Sequence, residues 1–312
     1  MDIYKDIEMR TNGEIYMGVV GPVRTGKSTF IKRFMDLLVI PSIQDEASRV
    51  RAKDELPQSA AGKTVMTTEP KFIPQEAAHI VVGDGVELKC RMIDCVGYMV
   101  NGAEGHEEDG KERLVKTPWY DYEIPFTKAA EIGTRKVIYD HSTVGIVVTC
   151  DGSITDISRD AYIEPETRTV EELKSIGKPF IMLLNSRKPA SPETVVLAEE
   201  LAATYGVSVL PVNCDQLKKT DVNNIFRQLL LDFPVTAVNF NIPKWVEAMD
   251  SDNKLKSYLI QVAKDTFDKI NQMKDIQQLV YDAFSAEFTT ETDLSNSPTT
   301  YSRSVSLNTA RS

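Results

Sequence analysis

The segment Gly21-Pro-Val-Arg-Thr-Gly26-Lys27-Ser28 limits this chain more than any other feature of its 312 residues. It has the pattern G-x-x-x-x-G-K-S/T. It follows a short apolar run, Ile15–Val20, and opens Lys27–Ile40, where Phe30, Ile31, Phe34, Met35 and Leu38 recur at helical spacing. Strand, loop and helix in that order are the setting in which such a loop holds phosphate. The glycines let backbone N–H groups face an anion with no Cβ in the way, and the helix start adds a favourable dipole. Lys27 is expected to reach the terminal phosphates and the Ser28 hydroxyl to bind Mg2+. The nucleotide-binding positions expected here are Gly21, Arg24, Thr25, Gly26, Lys27, Ser28 and Thr29. A second G-K-T, Gly62-Lys63-Thr64, has Pro57 where the pattern needs a glycine and no apolar strand before it, so it reads as loop.

The rest of the chain alternates strand and helix signals. Val86–Ile93 alternates apolar residues, whereas Val144–Thr149 and Phe180–Leu184 are continuous apolar runs, as in strands buried on both faces. Helices are expected over Pro165–Ile176, Pro192–Tyr205 and Asp221–Leu231, with Val207–Val212 a further strand. The fold expected is α/β, a P-loop NTPase with a mostly parallel central sheet and helices on both faces, then a helical C-terminal segment and a disordered tail. The boundaries are a P-loop ATPase domain at 1–240, a helical segment at 241–287 and a Ser/Thr-rich tail at 288–312. Pro41–Gly62 is polar, of mixed charge and without a clear period, and Asn101–Tyr122, rich in Gly and charge, reads as a loop.

Composition excludes several classes. The formal net charge of −10 argues against a nucleic-acid binder. No run of 18 apolar residues offers a membrane span. The charged start MDIYKDIEMR has no apolar core of a secretory signal, so a cytoplasmic location is expected. Four cysteines in or beside apolar runs, without paired spacing or nearby histidines, read as buried strand residues.

A phosphate loop needs a second Mg2+ group at a strand end, and Asp94-Cys-Val-Gly97 supplies it after Val86–Ile93. Asp94 is the expected metal ligand beside Ser28, and the Gly97 N–H is expected to face the γ-phosphate. Between the two motifs, Thr67 and Thr68 are the candidates for the threonine whose hydroxyl and carbonyl meet Mg2+ and the attacking water, with Thr68 the expected metal ligand. No general base follows Gly97, since the next residue is Tyr98 where some GTPases carry a water-orienting Gln. Arg24 could touch the γ-phosphate in cis. Guanine selection in switch GTPases comes from N-K-x-D, whose carboxylate accepts hydrogen bonds from guanine. Here the text is Asn185-Ser186-Arg187-Lys188, and Asn185 is a further expected nucleotide contact. Lysine has no acceptor, which moves the reading from GTP toward ATP, unless a carboxylate from another loop takes that place.

With these motifs in hand the chain closely resembles the stage IV sporulation protein A family, the morphogenetic ATPases of endospore-forming bacteria. The resemblance runs through MDIYKDI, GVVGPVRTGKSTFIKRFM, DELPQSAAGKTVMTTEPKFIP, IDCVGY, TPWYDYEIPF, AAEIGTRKVI and GKPFIMLLNS, and covers most of residues 1–245. It implies an ATPase derived from translation-factor-like GTPases, with ATP and Mg2+ as cofactors. Lys27, Ser28, Asp94 and the pair Thr67/Thr68 match the family's Walker A, Walker B and sensor-threonine positions. It further implies Mg-dependent ATP hydrolysis coupled to self-assembly of the spore-coat basement layer around the forespore, in the mother-cell cytoplasm. The implied partners are further copies of the chain, a small amphipathic peptide marking the forespore membrane, and other coat morphogenetic proteins. Members of the family are longer, so a truncated or divergent short form is expected. Two other readings stand beside this one: a nucleotide-binding structural protein with little hydrolysis, and a GTP-binding switch.

Overall fold

The computed structural model describes residues 13–57, 69–82, 86–108, 110–233, 237–240, 244–250, 252–270, 272, 275 and 305–308. The chain divides into two compact units, Met1–Leu229 and Leu230–Ser312. The larger unit begins with β1 (Glu14–Val20), α1 (Lys27–Phe34), α2 (Glu46–Asp54), β2 (Lys71–Val82) and β3 (Val86–Asp94). A hairpin, β4 (Leu114–Thr117) and β5 (Tyr120–Pro125), leads into α3 (Phe126–Lys136). The order then continues β6 (Val144–Cys150), α4 (Asp160–Ser175), β7 (Phe180–Asn185), α5 (Pro192–Tyr205), β8 (Val209–Val212) and α6 (Lys219–Leu231).

Six strands form one sheet in the order β8-β7-β6-β1-β3-β2. All neighbours run parallel except β2, which is antiparallel to β3 at one edge. Every residue of β6 and β7 is buried, which is why both read as unbroken apolar runs. Val20, Val147, Met182 and Leu184 pack with Val137 and Ile138 after α3, Val170 and Leu173 of α4, and Leu201 of α5. Ile15, Met17 and Val19 alternate to the opposite side of β1 and are equally buried. Beyond the sheet, α1 and α6 meet through Phe34 and Phe226, ring centroids 5.6 Å apart. The strand order reverses at β1, which has β3 on one side and β6 on the other. Ligands of open α/β sheets bind outside the carboxyl ends of strands at such a point. Register sharpens this, because Val19 lies opposite Asp94 and Val20 opposite Val147, so three strand ends converge.

The mostly parallel α/β expectation holds, and several boundaries differ. The helix expected from Lys27 stays α-helical only to Phe34 and passes through a π-helical turn at Met35–Val39. The helix expected from Pro165 starts five residues earlier at Asp160, because Tyr162, fully buried against Val23, Val100 and Cys150, draws the chain in before the proline. Pro41–Gly62 contains α2, whose only buried residue is Ala52, so it has almost no apolar period to read. Its start is set by Asp45, which accepts the Ser48 N–H at 2.7 Å. The strand β2 carries Pro74 and a register shift between Ile73 and Ala78, which hides its alternation. Asn101–Tyr122 contains short hairpins. All four cysteines are buried and free, as expected.

The smaller unit contains β9 (Ala237–Phe240), α7 (Lys244–Glu247), α8 (Lys254–Phe267) and β10 (Val305–Asn308). Among the described residues, the helical segment expected at 241–287 is two helices, because Asn253 caps α8 by accepting the Leu255 N–H at 2.9 Å. Its continuation, with Ile276 and Val280, lies outside the described residues. Within the tail expected to lack structure, Val305–Asn308 pairs antiparallel with Ala237–Phe240. No helix among the described residues is long and apolar enough to cross a membrane.

Candidate active site

The loop from Gly21 to Gly26 leaves β1 and turns into α1 at the converging strand ends. Gly21 (φ 129°) and Gly26 (φ 97°) take backbone conformations that L side chains rarely adopt. A Cβ on Gly21 would collide with the Val148 carbonyl, and one on Gly26 with the Asn185 amide. Arg24 is the one non-glycine among the described residues at positive φ, 62°, a conformation that costs an L residue about 1–2 kcal/mol. Thr25 closes the loop on itself, its buried hydroxyl donating to the Pro22 carbonyl at 3.0 Å. Gly26 caps α1 with no side-chain hydrogen bond, and no acidic residue stands in the first turn. The N–H groups and dipole at this helix start are left for an anion. Ser28 and Thr29 lie half-buried in that turn.

Lys27 is 5 % exposed. Its ammonium donates to the carbonyls of Gly21 at 3.3 Å and Pro22 at 2.5 Å, so it is strung across the loop. Burial holds its pKa below the ordinary lysine value, against the pull of Cys95 and Asp94. Ser28 Oγ donates to Asp94 Oδ2 at 2.6 Å, joining the loop to the end of β3. Burial pushes Asp94 up, while the Ser28 hydroxyl and Lys27 pull it down. Asp94 Oδ1 is buried with no hydrogen-bond partner among the described residues. A hydroxyl and a carboxylate in contact, with one buried carboxylate oxygen unengaged, suit a hard cation that takes oxygen ligands. Together with a glycine cradle that a Cβ would fill, these residues fit a Mg-nucleotide. Gly97, at φ 95°, closes the other side, where a Cβ would lie 2.7 Å from Lys27 Nζ and would overlap the Gly21 carbonyl.

Thr67 and Thr68 lie outside the described residues. Asn185, expected among the nucleotide contacts, has both ends of its amide engaged by backbone. Its Nδ2 donates to the Thr25 carbonyl at 2.9 Å, and its Oδ1 accepts the Cys214 N–H at 3.0 Å. It therefore ties the phosphate loop to the loop after β8. Ser186 is fully buried and accepts the Lys188 N–H at 3.0 Å, while the Lys188 side chain is exposed. Asp151 is a carboxylate from a neighbouring loop. Its oxygens accept the Ser153 N–H at 2.9 Å, the Ser153 hydroxyl at 2.6 Å and the Thr194 hydroxyl at 3.5 Å.

Two groups were not legible in advance. Tyr98, after Gly97, donates its phenol hydroxyl to Glu172 on α4. Glu166 is fully buried in a two-pronged pair with Arg159, both contacts 2.7 Å, and also accepts from Thr149 and from Tyr205 at 2.9 Å. The spacing of Arg159 and Glu166, two helical turns, is the only sequence signal for that pair.

A phosphate loop at the switch point of a mostly parallel sheet, closed by a strand-end Asp-x-x-Gly, defines a P-loop nucleotide-binding domain of the NTPase type. A family model described as "Stage IV sporulation protein A, ATPase domain" matches residues 1–234, and one for the middle domain of the same family matches residues 235–307. The chain belongs to the stage IV sporulation protein A family. Among similar proteins, stage IV sporulation protein A of Bacillus subtilis (strain 168) is 50 % identical over 288 residues, 92 % of this chain and 58 % of that protein. The protein of the same name from Clostridioides difficile (strain 630) is 50 % identical over 295 residues, 95 % of this chain and 60 % of that protein. The chain thus spans less than two thirds of the length of these relatives.

Proposed function

We propose that this chain binds Mg-ATP and hydrolyses it to ADP and phosphate, and that hydrolysis drives assembly of the chain with further copies of itself in the basement layer of the spore coat. The observation that carries the reading is the contact of Ser28 with Asp94 beside the buried Lys27 and the unengaged Asp94 Oδ1. Ser28 and Asp94, with Thr68 as the expected further ligand, would hold Mg2+. The bound metal supplies charge neutralisation between the phosphates. Lys27 neutralises charge on the terminal phosphates, and the N–H groups from Gly21 to Thr29 orient them. Phosphoryl transfer is chiefly positioning and electrostatics, so this set carries most of the chemistry. ATP is favoured over GTP because Lys188 offers donors only where guanine needs an acceptor, and Asp151 is engaged elsewhere.

The assembly role rests on family membership. On the same ground we propose that the chain works in the mother-cell cytoplasm at the forespore surface, with a small amphipathic membrane-marking peptide and other coat morphogenetic proteins as partners. A second reading, nucleotide binding with little hydrolysis, is favoured by the absence of a water-orienting side chain at Tyr98. Phosphate release by the purified chain with ATP and with GTP, beside Lys27→Ala, decides between them. ATP-selective release that falls at least about 100-fold in Lys27→Ala is expected. ATP binding without release would establish the second reading, and GTP preference would overturn the argument from Lys188.

A further inference from the structure

Tyr98 occupies the position at which some switch GTPases orient water with Gln, and its phenol is engaged by Glu172. It is 2 % exposed. Its backbone and its phenol engage different parts of the molecule. The backbone forms a parallel bridge with Pro22, and its carbonyl accepts the Val23 N–H at 2.9 Å, inside the phosphate loop. The phenol donates to Glu172 Oε2 on α4 at 2.5 Å. The Arg168 guanidinium lies over the ring at 4.3 Å, a cation–π contact. Arg168 is itself held by Glu131 of α3 at 2.7 Å, and Glu172 takes a further ion pair from Arg135 at 3.6 Å. One residue earlier, Gly97 stands against Lys27 Nζ and the Gly21 carbonyl with no room for a Cβ.

We infer that Tyr98 is a positioning residue: anchored on α3 and α4 by Glu172 and Arg168, it holds the Gly97 backbone over Lys27, where a terminal phosphate would be met. The inference rests on the ATPase reading above and deepens it. No side chain at position 98 aligns the attacking water. The ion cluster on α3 and α4 instead sets the geometry of the segment that closes the phosphate end. Binding of ATP depends mainly on the loop and Lys27, so loosening the anchor acts on turnover more than on affinity.

Two measurements on the full chain test this. The first is hydrogen exchange of the peptide covering Cys95–Val100 in ligand-free protein, compared in wild type and Tyr98→Phe, with thermal midpoints to confirm folding. Exchange at least fivefold faster in Tyr98→Phe is expected, and unchanged exchange overturns the anchor whether or not ATP is hydrolysed. The second is steady-state ATP hydrolysis by Tyr98→Phe, Glu172→Gln, their double variant and Glu171→Gln. Tyr98→Phe should lose about fivefold to tenfold in kcat with KM within twofold. Glu172→Gln should lose a similar factor, the double variant no more than the worse single one, and Glu171→Gln nothing. Wild-type kcat in Tyr98→Phe, or losses that multiply in the double variant, would overturn the proposal. A wild-type chain that releases no phosphate overturns the ATPase reading, and the exchange measurement still decides the anchor.

Discussion

The nucleotide cleft has two ends built on different terms. At the phosphate end, Gly21 and Gly26 take the positive φ their motif requires, Lys27 is strung across the loop, and Ser28 meets Asp94. At the base end, Asn185 keeps its place while the residues after it depart from the N-K-x-D pattern, and the Asn185 and Ser186 side chains there bond backbone groups. Phosphate is the same anion on every nucleotide, so its cradle tolerates little variation. The base is read by side chains that can be exchanged without disturbing the sheet. Asn185 thus ties the phosphate loop to the loop after β8, and base selection at position 188 is the part of the proposed function that this division puts to the test.

The largest expected effect that could break this division is on stability. Asn185→Ala would leave the Thr25 carbonyl and the Cys214 N–H without their partner, a cost of about 2–4 kcal/mol. Urea unfolding should register that loss, and affinities for ATP and GTP should fall together. If stability is unchanged and only the ATP-to-GTP ratio moves, Asn185 is a base reader and the division is wrong. Next in size is Lys188→Asp, which returns an acceptor to an exposed position. Competition binding should show the ratio shifting toward GTP by about tenfold, or about 1.4 kcal/mol, with little change in melting. A fixed ratio would move base selection to another loop.

The smallest effect lies in the cluster behind Tyr98. The hydrogen bond from Arg168 holds Glu131 below its ordinary pKa of 4.5. A carboxylate depressed in the folded state adds stability that is present above the unfolded value and lost as pH falls through the folded one. Wild type should therefore lose slightly more stability than Glu131→Gln between about pH 5 and about pH 3, by under about 1 kcal/mol given partial solvent screening. Parallel pH profiles of the urea midpoint would remove Glu131 from the anchor.

The difference between the two ends also explains what could be read from the chain. The phosphate loop was legible because glycine spacing, strand and helix all constrain the same eight positions. The central strands β6 and β7 were legible because every residue in them is buried. The helix α2 was not, since one buried alanine leaves no period. The strand β2 was not, because Pro74 and a shifted register break its alternation. The role of Tyr98 was closed to sequence reading for another reason. Its partners Arg168 and Glu172 come from a helix that only the folded sheet brings alongside, and no local spacing encodes that meeting. The altered Asn185 motif is legible as a departure, whereas the engagement of its amide by two backbone groups from distant loops is encoded in no local spacing.

Both margins of the sheet carry an imino acid. The edge strand β2 contains Pro74 and β8 contains Pro211. Proline presents no N–H to a neighbouring chain, and the shifted register of β2 disrupts its ladder further. Copies of this domain are thereby discouraged from zipping together strand to strand, the uncontrolled route by which crowded α/β proteins turn into aggregates. An ordered lattice of such domains would grow through side-chain surfaces, whose fit can be switched, and not through a continuous backbone ladder, which once formed is hard to undo.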